Sequence, residues 1–173
     1  MQYCLGIEQT YEFNMKKTGF TLIELLVTVS IFLTLLFIGI PSFKDMIDNS
    51  RIVSSSNEVL GAFNYARMEA VKRGNTVHLG QRNGTWASGL VVWVDADADD
   101  TMDPGEELRL WEPLSRENTL VSANTITSFV FQATGAVDNA DQLTICDNRS
   151  GEKGQTISIL ISGTIFAEKV TCV

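Results

Sequence analysis

The apolar residues of this chain fall into two unlike patterns. Residues 20–40 form an almost unbroken apolar run in which Glu24 is the sole charge. At about 1.5 Å per residue, a helix of that length just spans a hydrocarbon core of about 30 Å. Beyond it, Phe43, Met46, Ile47, Val53, Leu60, Phe63, Ala66, Ala70 and Val71 recur at roughly helical spacing. Lys44, Asp45, Asp48, Arg51, Glu58, Arg67 and Lys72 lie between them. That spacing predicts an amphipathic helix with one stripe laid on a partner surface, closed by a cap at Gly74-Asn75. A single helix from Phe20 to Arg73 would be about 80 Å long, kinked or loosened at Pro41, just after Gly39; two separate helices are the alternative. The polar stretch Ser54-Ser55-Ser56-Asn57 is expected to mark where the helix leaves its neighbours.

After Gly74 the pattern changes to short β-prone runs at 77–79, 89–94, 108–111, 129–132, 143–146, 156–161 and 164–170, separated by Gly, Asn and Asp clusters. Seven short strands suggest two packed sheets with the helix closing the core. The expected fold class is therefore α+β: a long N-terminal helix packed on a C-terminal antiparallel, sandwich-like domain. Trp86, Trp93 and Trp111 read as core or strand-face aromatics.

Composition adds constraints. The 173 residues suffice for one domain with a core. The net charge of −8 disfavours nucleic acid and anionic lipid as general partners. There is no CxxC, and the single His78 leaves no zinc-ligand pattern and reads as structural. No nucleophile, phosphate-loop or metalloprotease motif occurs, so the sequence points away from an enzyme. Cys146 and Cys172 lie in the C-terminal part. A bridge between them would close a loop of roughly 27 residues and contribute about 3–4 kcal/mol, if oxidation outside the cytoplasm permits it; two free thiols are the alternative.

The apolar run has a direction. Lys16 and Lys17 precede it and the next basic residue is Lys44. The positive-inside rule puts the N-terminus in the cytoplasm and everything after Pro41 outside it. A cleaved secretory signal would have a shorter run and a small-x-small site, which Pro41-Ser42-Phe43 does not offer. A plain signal anchor would leave Glu24 unexplained. A mid-membrane carboxylate costs roughly 2.5–3.5 kcal/mol, less near the edge, and asks for a partner.

Gly19-Phe20-Thr21-Leu22-Ile23-Glu24 resembles the class III signal of type IV prepilins and type II secretion pseudopilins. The resemblance implies cleavage by prepilin peptidase between Gly19 and Phe20 and N-methylation of Phe20. It makes Glu24 the fifth mature residue, which in that family pairs with the N-terminal amine of a neighbouring subunit during assembly; a buried carboxylate is tolerable when a cation meets it. Pro41 also falls where such helices carry a proline. Residues 1–14 match nothing in this pattern, and the short basic leader MKKTG starting at Met15 suits the family better, which suggests a mis-assigned start. Cys4 would be lost on cleavage. The helix end LGAFNYARMEAVKRG (residues 60–74) is similar to that of GspH/FimT minor pilins, which often reads "ARSEAIKRN". The segment from Trp86 to Asp95, followed by an acidic loop and Glu107-Leu108-Arg109-Leu110, resembles the same domain. So does Leu143-Thr144-Ile145-Cys146, with residues 156–162 and a glycine after it. The implied organisation is a leader over 1–19, a transmembrane and assembly helix over 20–41, its amphipathic continuation over 42–74, and an exported β-rich domain over 75–173. The implied protein is a single-pass inner-membrane minor pilin or pseudopilin. Its N-terminus would be cytoplasmic and its C-terminal domain periplasmic. Its partners would be prepilin peptidase and other pilins, in a type II secretion pseudopilus or a type IV pilus. The alternative is a FimT-like DNA-capturing pilin for natural transformation. In DNA-binding members a basic GRxR element lies near the C-terminus, where this chain has Gly163-Thr164-Ile165-Phe166, so DNA is disfavoured.

One loop carries candidate metal chemistry. Asp95, Asp97, Asp99, Asp103 and Glu106 fall at the offsets of an EF-hand loop, with Asp100 where that loop requires glycine and strands instead of helices on either side. Hard oxygen ligands at this density suit Ca²⁺, the one candidate cofactor; a solvated hairpin tip is the alternative.

Overall fold

The computed structural model describes residues 19–97, 99–115 and 118–172. Residues 1–18 of the expected leader, with Cys4, Lys16 and Lys17, lie outside them. One helix, α1 (Leu22–Arg73), precedes eight strands: β1 (Val77–Arg82), β2 (Thr85–Trp93), β3 (Glu107–Trp111), β4 (Thr119–Ser122), β5 (Ser128–Phe131), β6 (Asp141–Cys146), β7 (Gly151–Ile159) and β8 (Ile165–Cys172). The strands form two antiparallel four-stranded sheets, ordered β3-β2-β1-β5 and β4-β6-β7-β8. The helix is one element through Pro41. The chain divides into two compact units, Met1–Ser42 and Phe43–Val173.

Among the described residues, the first unit contributes the start of α1. Thr21 caps it: its carbonyl accepts from the Leu25 N–H at 3.2 Å and its hydroxyl from the Glu24 N–H at 3.3 Å. Thr-x-x-Glu is the sequence of a capping box, and an acid in the first turn also suits the helix dipole. The hydroxyls of Thr28, Ser30 and Thr34 bond back to the carbonyls of Leu25, Leu26 and Ser30 at 2.8–2.9 Å. Each thus hides its polar atom on its own helix.

The second unit holds the core. From Phe43 onward, one line of the helix is buried: Asp48, Ile52, Ser55, Val59, Ala62, Ala66 and Ala70 follow at steps of three and four. Phe63 sits beside this line, fully buried, with its ring 5.2 Å from Phe129, 6.2 Å from Phe131 and 6.3 Å from Trp86. The three alanines bring the helix backbone close to the strands. Val77, Leu79, Val92, Phe129 and Phe131 from the first sheet and Leu143, Ile145, Ile157 and Ile159 from the second complete a single cluster. Gly74 ends the helix with φ of +67°, its N–H bonded to the Ala70 carbonyl at 3.0 Å, as the Gly-Asn cap predicts.

Two expectations need correction. The predicted stripe mixed two faces: Phe63, Ala66 and Ala70 are buried, but Phe43, Met46, Val53 and Val71 are exposed. The Ser54–Asn57 stretch, numbered 54–57, does not leave its neighbours either. Ser55 and Ser56 are buried, and Asn118 donates to the Ser55 hydroxyl at 3.0 Å. A short hydroxyl side chain fits where the helix lies close to the sheet, provided a partner such as Asn118 meets it. Strand β4 was not predicted, because four residues flanked by polar positions show no measurable period.

Candidate functional site

Three sites follow from these elements. The first is the start of the helix. Gly19, Phe20 and Glu24 are all exposed, and so are the large apolar side chains that follow, from Leu22 at 81% to Phe37 at 79%. By length and composition this helix is apolar enough to cross a membrane. The side chain of Pro41 is not among those described.

The second is the helix end, where each polar residue of the Ala66–Arg73 stretch, residues 66–73, has work to do. Arg67 donates from Nε to the Gly135 carbonyl at 3.1 Å. Gly135 and Gly163 both turn with positive φ, and a Cβ on either would lie 3.1 Å from that same Arg67 nitrogen. A Cβ on Gly163 would also run into the Gly135 carbonyl. Glu69, largely buried, takes Arg73 at 2.8 Å and Lys72 at 3.3 Å. The Arg73 hydrogen bond holds the Glu69 carboxyl below the usual carboxylate range, with burial opposing and Lys72 helping. The sequence pattern alone did not single out this ion pair; the i,i+3 and i,i+4 spacing of Lys72 and Arg73 from Glu69 was the available signal.

The third is the far edge of the second sheet. Cys146 and Cys172 form a disulfide with Cα atoms 5.9 Å apart. It joins β6 to β8, the two neighbours of β7. Beneath it lies Gly154, where a Cβ would strike the Cys172 sulfur and lie 2.6 Å from the Ile145 carbonyl oxygen. Nearby, Arg149 meets Asp147 at 2.6 Å and Asp45 of the helix at 3.6 Å. Burial raises the Asp147 carboxyl, but the Arg149 hydrogen bonds outweigh it and the net shift is downward.

The acidic loop is partly self-satisfied. Asp95 accepts the backbone N–H groups of Asp99 and Asp100 at 3.3 and 2.9 Å. Glu106 accepts those of Ala96 and Asp103 at 2.7 and 3.0 Å. Asp95, Asp97 and Asp99 can bring one oxygen each within 4.8 Å of the others; Asp103 and Glu106 do not join that trio. The Asp97 carboxyl is pushed up, by desolvation and then by the charges of Asp99, Glu106, Asp103 and Asp95.

A single helix with an uncovered apolar start, running into two small antiparallel sheets, is a distinctive arrangement. The family model described as type II transport protein GspH matches residues 55–164, more than half of the chain. This chain belongs to the GspH family. The prokaryotic N-terminal methylation motif matches residues 14–40. Among solved structures, this GspH-family chain is similar to the type IV minor pilin FimU of Pseudomonas aeruginosa. Identity is 23%, with 69% of this chain and 89% of that one covered and a TM-score of 0.61. A second crystal form of FimU gives 24%, 66%, 90% and 0.57 in the same order. The minor pseudopilin EpsH from the type 2 secretion system of Vibrio cholerae matches at 12% identity, covering 69% and 97%, with a TM-score of 0.51. These likenesses establish a shared fold. No curated protein matches the chain. The GspH family is one of minor pilin and pseudopilin subunits, structural rather than enzymatic, and its apolar helix implies anchoring in a membrane within a filament system.

Proposed function

We propose that this GspH-family chain is a minor subunit of an envelope filament, a type II secretion pseudopilus or a type IV pilus, assembled after processing by prepilin peptidase. The observation that carries the reading is the junction of two features. A methylation motif covers residues 14–40, and the side chains of its apolar part are exposed. Peptidase cuts between Gly19 and Phe20, and the new Phe20 amine is methylated. The cut would leave Phe20 as the first mature residue just before the Thr21 cap. Glu24 then stands one helical turn from the mature N-terminus, the acid that a neighbouring subunit's amine neutralises. In a low-dielectric bundle neither charge is tolerable alone, so the pair selects register between subunits. Pro41 closes the assembly segment, residues 20–41; residues 42–74 continue the helix and residues 75–173 form the exported domain.

Before assembly the subunit waits in the inner membrane as a single-pass protein. Its N-terminus is cytoplasmic and its domain periplasmic, the side on which a disulfide persists. The DNA-capturing alternative draws little support, because Gly163-Thr164-Ile165-Phe166 carries no cation and Gly163 is packed on the Gly135 carbonyl.

The test is the intact mass and N-terminal fragment spectrum of the protein taken from its native membrane. An N-methylated Phe20 at the first position supports the reading. An unprocessed N-terminus, or one beginning well after Ile40, would end it.

A further inference from the structure

His78 lies on β1 between Val77 and Leu79, which both belong to the core cluster. Strand side chains alternate between faces, so His78 shares a face with Gly80 and not with Leu79. It nevertheless exposes only 5% of its surface. Its ring packs on Trp93, its partner in register on β2, with centroids 5.1 Å apart. Trp93 extends over Gly80, where a Cβ would come within 3.0 Å of the indole. Asp100 and Met102, from the acidic loop after β2, line one cavity of about 540 Å³ with Gly80 and Trp93. The loop therefore folds back toward the sheet face that carries His78.

One imidazole nitrogen of His78 and one carboxylate oxygen each from Asp95 and Asp100 lie within 4.8 Å of one another. Among the described residues the His78 imidazole makes no hydrogen bond; its ring packs on that of Trp93. A nine-tenths buried imidazole without a hydrogen-bond partner, close to two carboxylates, has the polarity of a ligand set. The geometry points to a binding site for one divalent transition-metal ion of the zinc class, held by His78, Asp95 and Asp100.

The donor set chooses the ion. Imidazole nitrogen with carboxylate oxygen suits Zn²⁺ and its neighbours, whereas Ca²⁺ takes six to eight oxygens. Metal–ligand distances of about 2.1 Å put two ligands of one ion at most about 4.2 Å apart. Three groups already within 4.8 Å of one another can reach that spacing by side-chain adjustment alone. Asp100 is an exposed loop residue and can supply that movement. Bound there, the ion fastens the loop to the first sheet and offsets the mutual repulsion of its acids. The site is distinct from the Asp95, Asp97 and Asp99 trio, with which it shares Asp95 alone.

The experiment is equilibrium dialysis of the full, untagged, chelator-stripped chain in detergent against Zn²⁺ alone and, in parallel, against Ca²⁺ alone. The variants are His78→Asn, Asp100→Asn and Asp97→Asn. Asp100 has a φ of +61°, which asparagine tolerates well, so Asp100→Asn keeps the fold even if His78→Asn does not. The expected result is one Zn²⁺ per chain, bound at least about tenfold more weakly in His78→Asn and Asp100→Asn and unchanged in Asp97→Asn. Co²⁺ in place of zinc should give visible bands that Asp100→Asn removes. Absence of saturable one-equivalent zinc uptake would overturn the assignment. So would binding that survives Asp100→Asn and disappears in Asp97→Asn, or a preference for Ca²⁺, since either places the ion in the carboxylate trio.

Discussion

The same helix has two regions that answer to different partners. Along residues 20–40 the large apolar side chains are 37–81% exposed. Along residues 52–70 the buried line, from Ile52 through Val59, Ala62, Phe63 and Ala66 to Ala70, is at most 2% exposed. Apolar area buried within a chain stabilises the folded subunit at roughly 25 cal/mol per Å². Apolar area left uncovered contributes nothing until lipid or another subunit meets it. The first region therefore encodes where the protein goes, and the second encodes whether it folds. Substitutions should separate along that boundary.

The largest expected separation comes from Glu24. On the proposed pairing, Glu24→Ala deprives the neighbouring subunit's amine of its counter-charge, which costs about 3–5 kcal/mol when a buried pair is broken. Incorporation into filaments in the native envelope should fall more than about 100-fold, while the thermal midpoint of the purified chain stays put. Unchanged incorporation would erase the distinction between the two regions. A matched pair of phenylalanines sharpens it. Phe63→Ala opens the core and should cost about 3–5 kcal/mol in urea unfolding, whereas Phe37→Ala, 79% exposed, should stay within about 0.5 kcal/mol. Equal losses would mean that the first region contributes to folding stability as the second does.

Smaller effects belong to the second region alone. Cys146→Ser should lower stability by about 3 kcal/mol in non-reducing urea titrations, and the difference from wild type should vanish once reductant is added to both proteins. Smallest is Glu69→Gln, at less than about 1 kcal/mol for a partly screened ion pair. The folded Glu69 carboxyl is lowered, so its contribution is fully present above the ordinary glutamate range and is lost as pH falls through the lowered value. Melting midpoints of wild type and Glu69→Gln should differ at pH 7 and converge under acid. A gap that widens on acidification would reverse the sign of the assigned interaction.

The legibility of these features followed their range along the chain. The apolar run, the Gly74 cap and seven of the strands are written in local residue patterns, whatever distant partners the strands then meet. The disulfide pairing was one of two open readings, and the structure chose it. The face of the helix was harder. Ser55 looks solvent-facing by composition, and its partner, Asn118, arrives from far along the chain; the buried Ser56 hydroxyl has no such partner among the described residues. Arg67 likewise found its partner 68 residues away. His78 looked isolated for the same reason: the carboxylates beside it arrive through a loop that folds back, and no spacing rule links them.

The disulfide has a mechanical consequence. In the second sheet β8 is an outer strand, a row of backbone pairs that would unzip one at a time if pulled from its end. Cys172 lies at that end and is tied across β7 to Cys146. Traction on the C-terminal end of β8 is therefore borne by a covalent link in β6, near the middle of the sheet. The hydrogen bonds of β8 must then yield together in shear, not singly in peeling, so a subunit that bears load keeps its outer face closed to an invading strand.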